Sequence, residues 1–102
     1  MKHYVLLMNF SEDYDARRPL FRNEHLTKAW AAVERGELVL AGALTEPLDT
    51  GLILFQAGGP DVVEKFAAED PYINNGLVRD WHIREWATVV GKDASTVMWP
   101  AK

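Results

Sequence analysis

Two residues with complementary proton chemistry stand far apart in the chain: His25 in "RNEHLTKAW" and Asp70 in "AAEDPYINNG". An imidazole takes or gives a proton near neutrality, and a carboxylate beside it orients the ring and stabilises the imidazolium. Asp70 ends an amphipathic helical run and precedes a proline. An acid at a helix C-terminus faces the negative end of the helix dipole and is disfavoured there. Asp70-Pro71 reads better as an N-cap with proline at the first helical position, and Gly76 then closes a single turn built from "PYINN". Asp70 also lies seven residues after Val63, on the side of Phe66 and Ala67. A carboxylate aimed at that apolar side needs a partner, because an unpaired buried charge is very costly. The two readings are compatible: one oxygen caps a backbone N–H while the other meets a histidine.

His25 sits beside Leu26 and near Ala29, at the edge of an apolar helical stripe. That position suits a hydrogen-bonded boundary histidine or a titratable group at the mouth of a cleft. Arg22, one turn earlier, is placed to bind a substrate anion or to be solvated. Tyr72, Trp81 and Trp30 offer aromatic surface to a planar ligand, Trp30 fitting ordinary core equally well. No histidine pair has HxH or HxxxH spacing and there is no cysteine, so no metal site is expected. There is no GxGxxG and no P-loop, and "AGGPD" is too short to cradle a phosphate, so no cofactor is expected.

The elements that must position these residues follow from periodicity. "HYVLLMN" (3–9) reads as a strand, and "FSEDYDARR" (10–18) as an irregular loop. Pro19 suits the first turn of a helix whose buried face is Leu26, Ala29, Trp30 and Val33, with Gly36 as C-cap. "ELVLAGAL" (37–44) and "LILFQA" (52–57) read as an antiparallel hairpin. Val63, Phe66 and Ala67 give a second helix its apolar side, and Leu77 to Val90 is the longest strand candidate. The expected class is α+β: a ferredoxin-like βαββαβ unit with a four-stranded antiparallel sheet and both helices on one face.

The far face of that sheet carries a second expectation. In the hairpin, Leu38, Leu40 and Leu44 oppose Val39, Ala41 and Ala43, while Leu52 and Leu54 oppose Ile53 and Phe55. Both faces are apolar, whereas a water-covered face of an antiparallel sheet alternates with polar residues. An apolar face left bare by the helices calls for a partner layer, and a second copy is the simplest source. A homodimer packed sheet on sheet is therefore expected. In the last strand Leu77, Trp81 and Ile83 fall on one side, and Val78, Asp80, His82, Arg84 and Trp86 on the other.

At 102 residues the chain is one domain, 1–90, with a tail over 91–102 whose Trp99-Pro100 can dock on the partner subunit. A net charge of −4 with no basic block argues against nucleic acid. The apolar N-terminal run is too short to span a membrane and has no cleavage site, so no membrane partner and a cytoplasmic location are expected.

In order and spacing, "HL" (25–26), "GELVLAGAL" (36–44), "DPYINNGLV" (70–78) and "WHIREW" (81–86) resemble the YciI-like, or YCII-related, family over about the first 90 residues. DPY followed by GLV is the most specific of these. The resemblance implies a ferredoxin-like chain pairing into a dimeric α/β barrel. It also implies an active site built on a histidine and an aspartate, which map onto His25 and Asp70. At least one family member is a dehydrochlorinase acting on a chlorinated hydroxyquinol, and most have no assigned reaction. Two departures stand out: Ala43 and Glu85 occupy positions where the family often has proline, both expected to flank the cleft. The leading expectation is a cofactor-independent lyase- or isomerase-type enzyme on a small cyclic or aromatic substrate. His25 is then the acid/base, Asp70 its orienter, and Arg22, Tyr72 and Trp81 the substrate contacts. A non-catalytic ligand-binding or regulatory dimer and a cofactorless monooxygenase are the competing readings, which fold alone does not separate.

Overall fold

The structure is a computed structural model that describes residues 1–101; Lys102, the last residue of the tail, lies outside them. Strand β1 (Lys2–Phe10) leads into α1 (Tyr14–Glu34), then β2 (Leu38–Leu44) and β3 (Thr50–Ala57). Helix α2 (Asp61–Glu69), the one-turn α3 (Pro71–Asn74) and β4 (Val78–Trp86) follow. The strands pair antiparallel in the order β2-β3-β1-β4. This is the expected α+β ferredoxin-like arrangement, with α3 as an extra turn before the last strand.

Alternation along the two central strands puts Tyr4, Leu6, Met8 and Phe10 of β1 and Ile53, Phe55 and Ala57 of β3 into the core. Ala29 and Ala32 of α1 and Val63, Phe66 and Ala67 of α2 cover them. Leu6, Ile53, Phe55 and Val63 are among the largest fully buried side chains. Each contributes about 1.5–3 kcal/mol relative to exposure. On the far face Val5, Leu7, Leu52 and Leu54 are only half-buried, and Leu40 and Leu44 at the sheet edge are exposed.

Two β-bulges correct the simple alternation. Leu38 pairs with Phe55 but Leu40 pairs with Leu54, so Val39 is an extra residue in β2. Directly paired residues share a face, so Leu38 joins the helix side while Leu40 and Leu44 lie on the far side. A second bulge follows the Asn9–Asp80 pair: Phe10 meets Val78, and Arg79 is the extra residue. Val78 is thereby buried on the helix side, opposite to its expected placement, while Asp80, His82, Arg84 and Trp86 line up with the far-face residues of β1. Strand β4 ends at Trp86 rather than Val90, because Trp86 already pairs with His3 near the start of β1. The chain instead doubles back: Met98 N–H donates to the Val89 carbonyl at 2.8 Å, and Ser95 N–H donates to Thr88 Oγ1 at 2.8 Å. The same Thr88 hydroxyl meets the buried His3 ring at 2.6 Å.

Helix α1 begins at Tyr14, so the expected 10–18 loop is three residues long and Pro19 lies inside the helix. Packing outweighs the local signal. The Tyr14 ring stacks on Phe10 with centroids 3.7 Å apart, which anchors the first turn to β1. Proline in a helix removes one hydrogen bond, here to the Asp15 carbonyl. Asp15 and Pro19 are both exposed, so water can serve that carbonyl.

Both helix ends expected at glycine are Schellman caps. Gly36 N–H donates to Val33 and Glu37 N–H to Ala32; after α3, Gly76 N–H donates to Ile73 and Leu77 N–H to Tyr72. Gly36 and Gly76 both have φ of +79°, a left-handed conformation that penalises a Cβ. Replacing Gly76 by alanine is expected to destabilise the fold by about 1–2 kcal/mol. In a urea titration the midpoint falls while the slope stays as in the parent.

Candidate active site

The face of α1 turned toward the sheet carries Arg18, Arg22, His25, Leu26, Ala29, Trp30 and Val33, a run of three- and four-residue steps. With β2, the β1 and β3 residues Met8, Phe10, Gly51 and Ile53, and Tyr72 of α3, this face lines an open cavity of about 520 Å³. That is within the ~300–1,000 Å³ common for small-molecule sites. The wall is mainly apolar, and its polar side chains are Arg18, Arg22, His25 and the two tyrosines. Gly51 makes room for the side chains of the floor: a Cβ there would come within 2.9 Å of Met8 and 3.0 Å of Phe10.

Asp70 reaches the site through α3. Its Oδ2 accepts the Ile73 N–H at 3.2 Å, which caps the turn, and its Oδ1 lies 2.5 Å from His25 Nδ1. The carboxylate is fully buried and the His25 side chain is 13% exposed. An ionised carboxylate only accepts hydrogen bonds, so Nδ1 donates to it and Nε2 takes no part in that bond. The imidazole stacks on the Tyr72 ring at 3.9 Å and 11°. Tyr72 in turn meets Tyr14 edge to face at 5.7 Å, so His25, Tyr72, Tyr14 and Phe10 form one aromatic ladder. Arg17 Nη2 donates to the Asn75 carbonyl at 2.7 Å and ties the start of α1 to the end of α3.

Of the residues expected at the site, His25 and Asp70 meet, and Arg22, Tyr72 and Trp30 line the same cavity. Trp30 and Leu26 are exposed rather than core, because the stripe they belong to faces this open cavity. Trp81 does not join them. It pairs with Met8 from the edge strand β4 and lies outside the cavity lining, separated from it by the width of β1. Ala43 lines the cavity, but Glu85 is at the opposite edge, 3.9 Å from Lys2. Tyr14 and Arg18, in the 10–18 segment whose polarity suggests a loop, belong to α1 and line the cavity. Extending the Leu26–Ala29–Val33 periodicity upstream through Arg22 reaches Arg18, the one sign of it in the sequence. Among the described residues no three His, Asp or Glu side chains cluster so as to hold a metal ion.

The YCII-related domain matches residues 2–87, from the first residue of β1 to just past β4. The chain belongs to the YCII-related domain family. Among solved structures it is similar to 5-chloro-2-hydroxyhydroquinone dehydrochlorinase (TftG) from Burkholderia phenoliruptrix, determined in complex with 2,5-dihydroxybenzoquinone. That match has a TM-score of 0.71 at 15% identity and covers 91% of this chain and 99% of the other. Protein Atu4242 from Agrobacterium tumefaciens is similar with a TM-score of 0.58 at 12% identity, covering 95% of this chain and 100% of the other. At such identities the likeness shows the shared fold. No curated protein matches the sequence. No helix among the described residues is long and apolar enough to cross a membrane.

Burial holds the Tyr72 phenol above its ordinary pKa of 10.0; the Tyr14 hydroxyl and Asp70 add to the shift, and Arg22 and Arg18 oppose it. The Tyr72 phenol therefore stays protonated below pH 10.0. In strong alkali the unfolded chain loses this proton before the native one does. Stability is full below pH 10.0 and falls as pH rises through the native value. Tyr72→Phe is expected to make that alkaline decline shallower, read as denaturant midpoints on either side of the phenol's titration.

Proposed function

We propose that this YCII-related protein is a cofactor-independent lyase- or isomerase-type enzyme acting on a small cyclic or aromatic molecule. The observation that carries the reading is the His25 imidazole, held by a buried carboxylate at 2.5 Å and set in the wall of a largely apolar cavity. Nε2 removes a proton from the substrate, and Asp70 stabilises the imidazolium that forms. The electron pair left behind either expels a leaving group from the neighbouring atom or recaptures the proton at another carbon. The first outcome is elimination and the second isomerisation, and both balance without an electron acceptor. Tyr72 forms one side of the binding slot, and Arg22 contacts a substrate oxygen. The dehydrochlorinase of similar fold makes elimination the first reaction to test.

The test uses 5-chloro-2-hydroxyhydroquinone and related cyclic hydroxy-compounds, with product formation and halide release as readouts. His25→Ala is expected to lower kcat ~10²–10⁴-fold, as for loss of a positioned acid/base. Asp70→Asn keeps a capping oxygen but removes the charge facing the ring, so kcat falls while the fold persists. Turnover by both variants at the parent rate would sink the assignment.

We also propose a homodimer in which the far faces of two sheets pack together. Support comes from Val5, Leu7, Leu40, Leu44, Leu52 and Leu54, which the bulge at Val39 gathers on one face away from the helices. Trp86 at the rim is 53% exposed and Trp99 in the tail is 83% exposed, so both have apolar surface to offer a second copy. Light scattering at micromolar concentration is expected to give the dimer mass. Leu52→Glu with Leu54→Glu places charge on the half-buried centre of that face and shifts the mass to monomer. A monomeric parent protein would remove the proposal.

A further inference from the structure

The end of the cavity beyond His25 has its own chemistry. Arg18, Arg22 and His25 follow one another at i, i+4 and i+7 on α1, and all three line the cavity. Helix geometry separates Arg22 from His25 by ~4.5 Å along the axis, and Arg18 from His25 by ~10.5 Å. The Arg18 guanidinium lies 5.5 Å from the centre of the Tyr14 ring. Its Nη2 is 3.2 Å from Asp15, whose side chain is 75% exposed, while its Nε is buried with no hydrogen-bond partner. That N–H is closed to solvent, so Arg18 acts on a ligand through its charge and the accessible part of its side chain, 30% of which is exposed. Arg22 has no carboxylate within ion-pair distance among the described residues. Tyr14 and Tyr72 are about 95% buried, at 6% and 5% exposure, and both line this end of the cavity. Two cations and two phenols thus converge in a pocket otherwise walled by Leu26, Trp30 and Ile53.

We propose that this end of the cavity recognises an oxyanion, so that the substrate is a cyclic molecule bearing a carboxylate or an ionised enol. Arg22 and Arg18 are the residues that select it. A ring with one exocyclic oxygen bridges the one-turn gap from Arg22 to His25 and brings a ring carbon to Nε2. Arg18, whose side chain is 30% exposed and whose guanidinium lies beside the Tyr14 ring, supplies the second positive charge. The planar guanidinium suits a carboxylate-like oxygen pair better than a lysine would. Arg18 is thus a specificity residue for the reaction proposed above, and the inference rests on that reading for the orientation of the ring.

The test compares benzoate with benzamide, two ligands of the same shape that differ in charge. Binding is followed by calorimetry and by perturbation of the His25 and Tyr72 ring signals in NMR spectra. Benzoate is expected to bind at least tenfold more tightly than benzamide, with the His25 and Tyr72 signals moving. Arg22→Gln, at an exposed position, reduces the preference severalfold, and Arg18→Gln with Arg22→Gln abolishes it without weakening benzamide. Equal binding of the two ligands, no benzoate binding at millimolar concentration, or a preference that survives both substitutions would each overturn the proposal. His25→Ala separates the two readings. It retains the benzoate preference if the anion site is real. If it also turns over substrate normally, the acid/base assignment fails while the anion site stands.

Discussion

A fully buried carboxylate organises this molecule. Asp70 lies where α2 ends and α3 begins, and its two oxygens serve different masters: a backbone N–H of α3 and the imidazole of α1. A buried charge without partners would destabilise the fold by several kcal/mol, so the surrounding chain is constrained to supply them. The cap fixes α3, α3 places Tyr72 under the histidine, and the histidine locks α1 in rotation about its axis. Elements distant in sequence are thereby held in register through one side chain.

The remainder of the site follows from that rotation. With His25 turned toward Asp70, the same face of α1 presents Arg18, Arg22, Leu26 and Trp30 to the space above β2 and β3. The buried residues of the helix are Tyr14 at its start and the small Ala29 and Ala32, with Phe21 and Val33 partly buried against the core. The bulky Leu26 and Trp30 of the neighbouring row stay exposed along the cavity instead of packing on the sheet. The sheet divides the work between its faces: the helix side holds the core and the candidate site, and the far side is an apolar surface with a polar margin of Asp80, His82 and Arg84.

A shared fold at 12–15% identity means that architecture survives where most side chains differ. In such a family the fold leaves the reaction open, and chemistry is set by the few groups that reach the cavity. Here those groups are one imidazole with its carboxylate, two guanidinium ions and two phenols. Of these groups the imidazole is the one whose ordinary pKa lies near neutrality, while the arginines stay charged and suit binding an oxyanion.

Much of this was legible in the chain itself. Strand and helix order, the glycine caps at 36 and 76, the apolar side of α2 and the double role of Asp70 all rest on interactions within a few residues, which local pattern encodes. What the tertiary structure alone decided lies in longer-range contacts. Stacking on Phe10 extended α1 back to Tyr14 through a segment whose polarity suggests a loop, and so brought Arg18 into the site. The bulges at Val39 and Arg79 reversed the alternation of β2 and β4, because strand register belongs to the pair of strands and not to either one. Trp81 was excluded from the cavity for the same reason: its strand is at the sheet edge beyond β1, a neighbour relation that no single segment specifies.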